Sequence, residues 1–136
     1  MQSGITSSEP PRVLLVDDNE DVLVRAATVL RSCCEVVGAV TDGWAAIEAA
    51  ETLDPEVIVL DISMSPMSGF EVARRLREAG SNAAVIFLTV QQGEEFVREA
   101  KAAGGIGYVI KPRLASDLKL AVQEAREGRP FTSTVR

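Results

Sequence analysis

The sequence predicts a doubly wound α/β fold, in which a five-stranded parallel sheet lies between two layers of helices. Three observations predict it. Short apolar runs rich in β-branched residues recur along the chain, and the strongest are nearly continuous, which is typical of strands buried on both faces. Segments with one apolar face at helical spacing lie between these runs, where crossover helices are required. The length of 136 residues suits a single domain.

The five predicted strands follow one another at nearly even spacing. The second of them is the weakest, because its apolar residues are interrupted. They are Val13–Val16, Cys34–Val40, Val57–Leu60, Ala84–Leu88 and Ile106–Ile110. Turn-forming glycine, proline and asparagine residues precede the third, fourth and fifth strands, so that the start of each is marked in the sequence.

Five predicted helices alternate with the strands. Asp42 is predicted to cap the second helix and Ser68 the third, because Asp and Ser side chains accept hydrogen bonds from free N–H groups at helix starts. The apolar stripes that define the five helices are Val22/Ala26/Val29/Leu30, Ile47/Ala50, Val72/Leu76/Ala79, Phe96/Val97/Ala100 and Leu114/Leu118/Val122/Ala125.

The chain is predicted to form one domain over residues 11–130. Residues 1–10 are expected to be a flexible N-terminal tail, and residues 131–136 a C-terminal tail or the start of a linker. The N-terminus lacks the basic and apolar regions of a signal peptide, and no window approaches 18 apolar residues. We therefore expect a cytoplasmic protein without a membrane span, whose adjacent Cys33 and Cys34 remain reduced and buried.

The composition excludes several kinds of chemistry. The chain has 20 acidic residues, 14 basic residues and no histidine. A Ser-His-Asp unit, a histidine metal ligand and a phosphohistidine are therefore impossible on this chain. The net charge of −6 argues against direct nucleic-acid binding.

Polar side chains stand where four of the predicted strands end. Asp17 and Asp18 follow the first strand, Asp61 the third, Thr89 the fourth and Lys111 the fifth. The carboxyl ends of parallel strands meet at one edge of the sheet, where ligands bind in open α/β folds. Three carboxylates repel each other unless a cation lies among them, and oxygen ligands suit Mg²⁺. The residues predict a Mg²⁺-assisted phosphoryl site with a carboxylate acceptor.

Other interpretations of these residues stay open at this point. Asp18 and Thr89 could simply cap the helices that follow them. A phosphatase of the haloacid dehalogenase type would need a carboxylate two residues after the nucleophile, but Ser63 stands there. A P-loop is disfavoured, because the residues after the first strand are acidic rather than glycine-rich.

The motifs VLLVDD, VIVLDISM, VIFLT and GYVIKP, with Gly69 eight residues after Asp61, resemble the receiver domain of bacterial two-component response regulators. The resemblance covers about residues 12–130. It implies a CheY-like, flavodoxin-like three-layer sandwich with strand order 2-1-3-4-5. The ending LAVQEAREGRPFTS resembles the NarL/LuxR type, in which a DNA-binding domain follows, and implies a role in transcription regulation.

The resemblance also implies roles for the residues at the strand ends. Asp61 would be the phosphoacceptor that receives the phosphoryl group from a histidine kinase or a phosphotransfer protein. Asp18 would bind Mg²⁺ directly and Asp17 through water, with Asp61 and the backbone carbonyl of Ser63 as further ligands. The domain would then not be an enzyme in the usual sense, since it would catalyse only its own phosphorylation and dephosphorylation.

Three further expectations follow from the resemblance. Thr89 and Lys111 would bind the phosphoryl oxygens, Tyr108 would swing inward on activation, and Lys111–Pro112 would be a cis peptide. The face of the fourth helix, fifth strand and fifth helix would bind a partner or form a homodimer. Ser65–Pro66 and Val90 depart from the family pattern, which keeps open a phosphorylation-independent interaction module as the alternative.

Overall fold

The computed structural model describes residues 9–134, in which six strands alternate with five helices. A short 3-10 turn, Lys111–Arg113, precedes the last helix. The strands are β1 Arg12–Val16, β2 Glu35–Val40, β3 Val57–Leu60, β4 Ala84–Thr89, β5 Gly105–Ile110 and β6 Phe131–Thr132. The helices are α1 Glu20–Leu30, α2 Gly43–Leu53, α3 Gly69–Glu78, α4 Glu94–Ala102 and α5 Leu114–Arg126.

All strands of the sheet are parallel, and their order is β2-β1-β3-β4-β5-β6. The doubly wound fold and the order 2-1-3-4-5 are therefore confirmed. The predicted number of five strands was too low, because the chain returns to the sheet after α5. Phe131 pairs with Gly107 and Thr132 with Tyr108. A two-residue strand has no detectable pattern of its own, so the sequence predicted only a tail there.

The core consists of two layers, one on each face of the sheet. The helices α2, α3 and α4 cover one face, and α1 and α5 cover the other. Neighbouring strand residues alternate between the layers: Leu14 and Val16 belong to the first, Val13 and Leu15 to the second. Burial on both faces is the reason why these strands are continuous apolar runs.

Side-chain caps begin α2 and α3 as predicted. Asp42 accepts a hydrogen bond from the N–H of Ala45 at 2.8 Å, and Ser68 accepts one from the N–H of Glu71 at 3.3 Å. The N-cap residue of α1 is Asn19, whose side chain accepts the N–H of Val22, and not Asp18. The N-cap residue of α4 is Gly93, which has no side chain to accept a hydrogen bond. Asp18 and Thr89 therefore do not cap the helices that follow them.

The adjacent cysteines are free thiols, as predicted. Their sulfur atoms lie 3.3 Å apart, and Cys34 is buried whereas Cys33 is partly exposed. Burial raises the pKa of Cys34 to about 12, and the neighbouring Cys33 adds to the rise. The Cys34 thiol therefore stays protonated at neutral pH and contributes to the core as a small apolar group.

The helices between residues 9 and 134 are all short. The longest, α5, has 13 residues, whereas about 20 apolar residues are needed to cross a bilayer. Within this part of the chain, no helix is both long enough and apolar enough to span a membrane.

Residues 1–8 of the predicted N-terminal tail and residues 135–136 of the predicted C-terminal tail lie outside the described residues.

Candidate functional site

The carboxyl ends of four strands bring the predicted site residues to one edge of the sheet. Asp17 and Asp18 follow β1, Asp61 follows β3 directly, Thr89 is the last residue of β4, and Lys111 follows β5. β1 and β3 are hydrogen-bonded neighbours in the sheet, and so are β3 and β4. The topology therefore places side chains that are far apart in sequence around the end of β3.

Three carboxylates lie close enough together to hold one metal ion. One oxygen from each of Asp17, Asp18 and Asp61 lies within 4.8 Å of the others. Asp17 and Asp61 are almost completely buried, with 2% and 3% of their surface exposed, whereas Asp18 is exposed. Buried like charges at this separation repel each other strongly.

Lys111 supplies a positive charge inside this group. Its ammonium lies 2.9 Å from Asp17 Oδ2 and 3.6 Å from Asp61 Oδ2. One ammonium offsets only one of the three negative charges. Asp17 Oδ2 has this ion pair with Lys111 but accepts no hydrogen bond from the described residues. A buried carboxylate oxygen without a hydrogen bond, beside two further carboxylates, fits an oxygen-liganded cation such as Mg²⁺.

The environment of Asp61 disfavours its charged form. Burial raises its pKa to about 6, the negative charge of Asp17 adds to the rise, and Lys111 and the N–H of Ser63 only partly oppose it. A carboxylate with a raised pKa beside specific charged partners is typical of functional sites. A cation bound between the carboxylates would favour the charged, nucleophilic form.

The backbone around Asp61 is closely packed. The N–H of Ser63 donates to Asp61 Oδ1 at 3.3 Å, and the N–H of Gly69 donates to the carbonyl of Ile62 at 2.8 Å. A Cβ atom on Gly69 would lie 2.1 Å from the Asp61 carbonyl oxygen, so that only glycine fits there. This close approach is the physical reason for the glycine eight residues after Asp61. The Ser63 carbonyl stays a predicted metal ligand.

The predicted cis peptide at Lys111–Pro112 was wrong. Among the described residues, the cis peptide bond is Ser65–Pro66, in the loop between Asp61 and α3. Lys111–Pro112 instead begins the 3-10 turn Lys111–Arg113, with the proline in its first turn. The fixed φ angle of proline and its missing N–H suit the start of a helical turn, which leads directly into α5.

Thr89 and Tyr108 are linked through the backbone of Gln91. Thr89 is fully buried, and its hydroxyl oxygen accepts the N–H of Gln91 at 3.2 Å. The Tyr108 hydroxyl donates to the carbonyl of Gln91 at 2.9 Å, and the Tyr108 side chain is buried. Tyr108 is therefore buried in this structure, and its movement on activation stays a prediction. Burial raises the Tyr108 pKa to about 12, so that its hydroxyl remains a donor.

The family resemblance marks Gln91 and Ser63 as positions that tune dephosphorylation, but the sequence did not reveal the contacts of Gln91. Its side-chain amide also donates to the hydroxyl of Ser63 at 3.3 Å. One residue therefore contacts the loop after β3, the end of β4 and the aromatic side chain of β5. Hydrogen bonds between residues 28 positions apart leave no signal in spacing or hydropathy. The adjacent Val90 is 59% exposed.

A comparison with known families gives this arrangement its context. Residues 13–123 match the response regulator receiver domain. The chain belongs to the response regulator receiver domain family. This match confirms the resemblance deduced from the motifs, and it identifies the domain as a signal receiver of two-component systems rather than a conventional enzyme. The family typically uses Mg²⁺, and the described residues contain a cluster of three carboxylates that could hold a metal ion.

Several curated proteins are similar to the chain over nearly all of its length. It is 32% identical to the nitrate/nitrite response regulator NarL of Escherichia coli K12 over 131 residues, which are 95% of this chain and 61% of the relative. It is 32% identical to the transcriptional regulatory protein LiaR of Bacillus subtilis, with coverages of 88% and 57%, and 33% identical to PrrA of Mycobacterium tuberculosis, with coverages of 98% and 56%. The chain thus spans about three fifths of the length of these regulators.

Solved receiver structures have the same fold. The signal receiver domain of NarL from Mycobacterium tuberculosis superposes with a TM-score of 0.84 at 28% identity, over 89% of this chain and 99% of that one. A LuxR-family response regulator from Aurantimonas gives a TM-score of 0.85 at 27% identity, with coverages of 90% and 89%. Receiver domains of two-component response regulators are therefore among its structural relatives.

Proposed function

We propose that Asp61 is the phosphoacceptor of this receiver domain. A carboxylate oxygen of Asp61 attacks the phosphorus of a phosphohistidine on a histidine kinase or phosphotransfer protein, and the phosphorus–nitrogen bond breaks as the new oxygen–phosphorus bond forms. The absence of histidine from this chain is consistent with this division of roles, because the histidine belongs to the partner.

The proposed metal is Mg²⁺, with ligands from Asp18 and Asp61, the Ser63 carbonyl, and Asp17 through water. When bound, Mg²⁺ neutralises negative charge on the carboxylates and on the phosphoryl oxygens. Asp17 and Asp61 are buried, so that their charges are poorly screened by water and depend on such a cation. Asp17 Oδ2, which is ion-paired with Lys111 but accepts no hydrogen bond from the described residues, supports this assignment.

Lys111 and Thr89 are proposed to bind the phosphoryl group once it is on Asp61. The Lys111 ammonium already lies 3.6 Å from Asp61 Oδ2 and can bind an added oxygen with little movement. The Thr89 hydroxyl, which accepts the N–H of Gln91, would turn away from it and donate its own proton to a phosphoryl oxygen. Because Tyr108 also binds Gln91, this exchange would carry the change from Asp61 to the β4–α4 loop and to β5.

The observation that carries the proposal is the electrostatic state of Asp61. It is a buried carboxylate with a raised pKa, beside two further carboxylates and one lysine. A purely structural acid would be fully paired. Asp61 instead lies in a group of three carboxylates and one lysine, which has too little positive charge. A divalent cation would supply the missing charge, and a phosphoryl group could then bind at the same site.

A phosphorylation assay tests the proposal directly. The chain would be incubated with acetyl phosphate and Mg²⁺ and analysed on a gel that retards phosphoproteins. We expect one phosphoryl group per chain, no product without Mg²⁺, and no product from Asp61→Asn. Asp21→Asn, which removes an exposed carboxylate in α1, is the matched control and should react like the native sequence. An unmodified native chain, together with unchanged function of Asp61→Asn, would favour the phosphorylation-independent interaction module.

The output of the domain is proposed to be transcription regulation. LiaR and PrrA carry the name transcriptional regulatory protein, and this chain matches only part of each. We propose that any DNA contact is made by residues outside this domain, because residues 1–136 have a net charge of −6. A gel-shift assay with this chain alone should show no binding to duplex DNA.

A homodimer through the face of α4, β5 and α5 is proposed with one modification. β6 pairs with β5 and so occupies the sheet edge at the centre of this face. Contact between two copies would therefore use the exposed helix surfaces, such as Lys119 on α5. Sedimentation of Lys119→Glu, with and without beryllofluoride as phosphoryl mimic, tests this. Weaker association than in the native chain is expected, and equal association would exclude this face.

A further inference from the structure

The segment after α5 is attached to the strand that carries Lys111. Phe131 and Thr132 form β6 beside Gly107 and Tyr108 of β5. Phe131 is partly buried and packs against the core layer beneath α1 and α5. This attachment lies beyond residues 13–123, which match the receiver family. The segment is therefore an additional part of the sheet.

Ser133 binds the backbone of β5 immediately before Lys111. Its N–H donates to the carbonyl of Tyr108 at 2.8 Å, and its hydroxyl oxygen accepts the N–H of Ile110 at 3.3 Å. These two hydrogen bonds are made to the residues on either side of Val109, and the second is made to the residue directly before Lys111. The position of the last β5 residue is thus fixed from the edge of the sheet by a residue 23 positions away.

The same hydroxyl of Ser133 also reaches α5. It donates to Asp117 Oδ2 at 2.7 Å, and the two oxygens of Asp117 accept hydrogen bonds from the Arg113 guanidinium at 3.0 and 3.2 Å. The hydroxyl of Ser116 donates to Asp117 as well, at 3.1 Å. Asp117 is only 8% exposed and is fully hydrogen-bonded. It therefore joins the Ser133 segment to the end of the turn 111–113.

Lys111 lies between these two attachments. Ile110, on its N-terminal side, is bound by the Ser133 hydroxyl, and Arg113, on its C-terminal side, is bound by the Asp117 carboxylate that Ser133 also contacts. A lysine side chain is long and flexible, so that the placement of its ammonium depends on a fixed backbone. Ser133 thus connects both ends of this turn, directly at Ile110 and through Asp117 at Arg113.

We propose that Ser133 is a positioning residue for Lys111, and that phosphoryl binding at Asp61 therefore depends on the segment beyond α5. The inference rests on the proposed function. The hydroxyl of Ser133 holds the turn 111–113 so that the ammonium of Lys111 stays at the two buried carboxylates. Because coupling between two sites is reciprocal, occupancy of the Asp61 site must in turn change the attachment of residues 131–133.

Beryllofluoride titration in excess Mg²⁺ tests the first half of the proposal. The amide NMR signals of residues beside Asp61 would report the affinity. Ser133→Ala removes both hydrogen bonds of the hydroxyl, and it is expected to weaken binding about three- to tenfold, because only part of the lost free energy reaches the site through Lys111. Thr134→Ala changes an exposed hydroxyl in the same segment and should leave the affinity unchanged.

A double-mutant cycle separates positioning from general stabilisation. If Ser133 acts through Lys111, Ser133→Ala has no further effect on beryllofluoride affinity in a Lys111→Ala background. An equal weakening in both backgrounds would overturn the proposal, and so would a native affinity in Ser133→Ala alone. Asp117→Asn keeps the shape of the side chain and should reproduce part of the Ser133→Ala effect.

Amide hydrogen exchange tests the reciprocal half, and decides the question if Lys111→Ala binds too weakly for the cycle. Beryllofluoride with Mg²⁺ should change the protection of the Ser133 and Ile110 amides in the native chain but not in Asp61→Asn. Unchanged protection in a native chain that binds beryllofluoride would overturn the inference alone. A native chain that does not bind beryllofluoride at all would overturn the proposed function, and this inference with it.

Discussion

Charged groups are arranged differently at the two ends of the strands. We call the end where the strands begin the amino edge and the end where they finish the carboxyl edge. At the amino edge, Arg12 donates to the carbonyl of Asp54 at 2.6 Å and its own N–H donates to Glu56 at 3.0 Å, while Glu56 also lies 3.7 Å from the Arg126 guanidinium. Positive and negative groups alternate there. At the carboxyl edge, Asp17, Asp18 and Asp61 face one lysine.

This difference shows which edge is built for stability and which for binding. Arg12 at the amino edge holds the end of α2 to β1, and the carboxylates near it are exposed, so that water screens their charge. Buried carboxylates at the carboxyl edge outnumber the positive charges and reduce stability, and the proposed Mg²⁺ would relieve this repulsion. The same sheet therefore carries a structural edge and a functional edge, and substitutions at the two edges should have different consequences.

The largest expected effect concerns the packing beneath Asp61. Gly69→Ala would place a methyl group 2.1 Å from the Asp61 carbonyl oxygen. We expect the free energy of unfolding to fall by about 3 kcal/mol, because backbone must move to relieve the contact. Gly80→Ala, near the amino edge, has no neighbour within 4 Å and should cost only about 1 kcal/mol, from its φ of +88°. Urea denaturation measures both, and equal losses would contradict the steric explanation.

The next effect has the opposite sign. Asp61→Asn removes a buried charge whose presence is unfavourable in the folded state, while the Asn side chain can still accept the N–H of Ser63. Without Mg²⁺ at pH 7.5, we expect this variant to be more stable than the native chain by about 2 kcal/mol, somewhat less than the pKa difference allows. Urea denaturation in EDTA measures it. A less stable Asp61→Asn would show that the Lys111 contact outweighs the repulsion.

The pH dependence of this difference follows from the pKa of Asp61. The pKa is raised from 3.8 to about 6 in the folded protein. Below about pH 4, Asp61 is protonated in both the folded and the unfolded chain, so that its charge has no cost. As the pH rises from 4 to 6, the unfolded chain loses its proton first and the native chain loses stability relative to Asp61→Asn. The difference in the free energy of unfolding between Asp61→Asn and the native chain should therefore be larger at pH 7.5 than at pH 4. An equal difference at the two pH values would contradict the raised pKa of Asp61.

Mg²⁺ should stabilise the native chain by a smaller amount. For an affinity near 1 mM, 10 mM Mg²⁺ is expected to raise the free energy of unfolding by about 1.4 kcal/mol. The gain should be lost in Asp18→Asn, which removes the exposed carboxylate of the cluster, and retained in Asp21→Asn. Thermal denaturation at constant ionic strength measures the effect. Equal gains in all three chains would indicate nonspecific screening instead of a site.

Much of this arrangement could be predicted from the sequence, because the determining signals are local. Buried parallel strands are recognisable as apolar runs. Because the carboxyl ends of such strands meet, the sequence alone predicted that Asp17, Asp61 and Lys111 lie close together. The caps at Asp42 and Ser68 were recognisable for the same reason.

The rest depended on long-range geometry. No local pattern marked the bond Ser65–Pro66 as cis, and the contacts of Gln91 join the loop after β3, the end of β4 and a side chain of β5. The attachment of Ser133 to β5 joins residues 23 positions apart and has no periodic pattern. Sequence patterns therefore placed the site, whereas the connections that link its parts required the structure.

The smallest predicted effect completes the comparison of the two edges. Glu56→Gln at the amino edge removes one charge from an exposed ion pair with Arg126, so that the loss of stability should be about 0.5 kcal/mol, the range for exposed ion pairs. This sign is opposite to that of Asp61→Asn. Because Glu56 lies at the opposite end of the strands from the cluster of Asp17, Asp18 and Asp61, Mg²⁺ should stabilise Glu56→Gln as much as the native chain. A gain in stability from Glu56→Gln would mean that the amino edge also carries unfavourable charge, and that the contrast between the edges is not electrostatic.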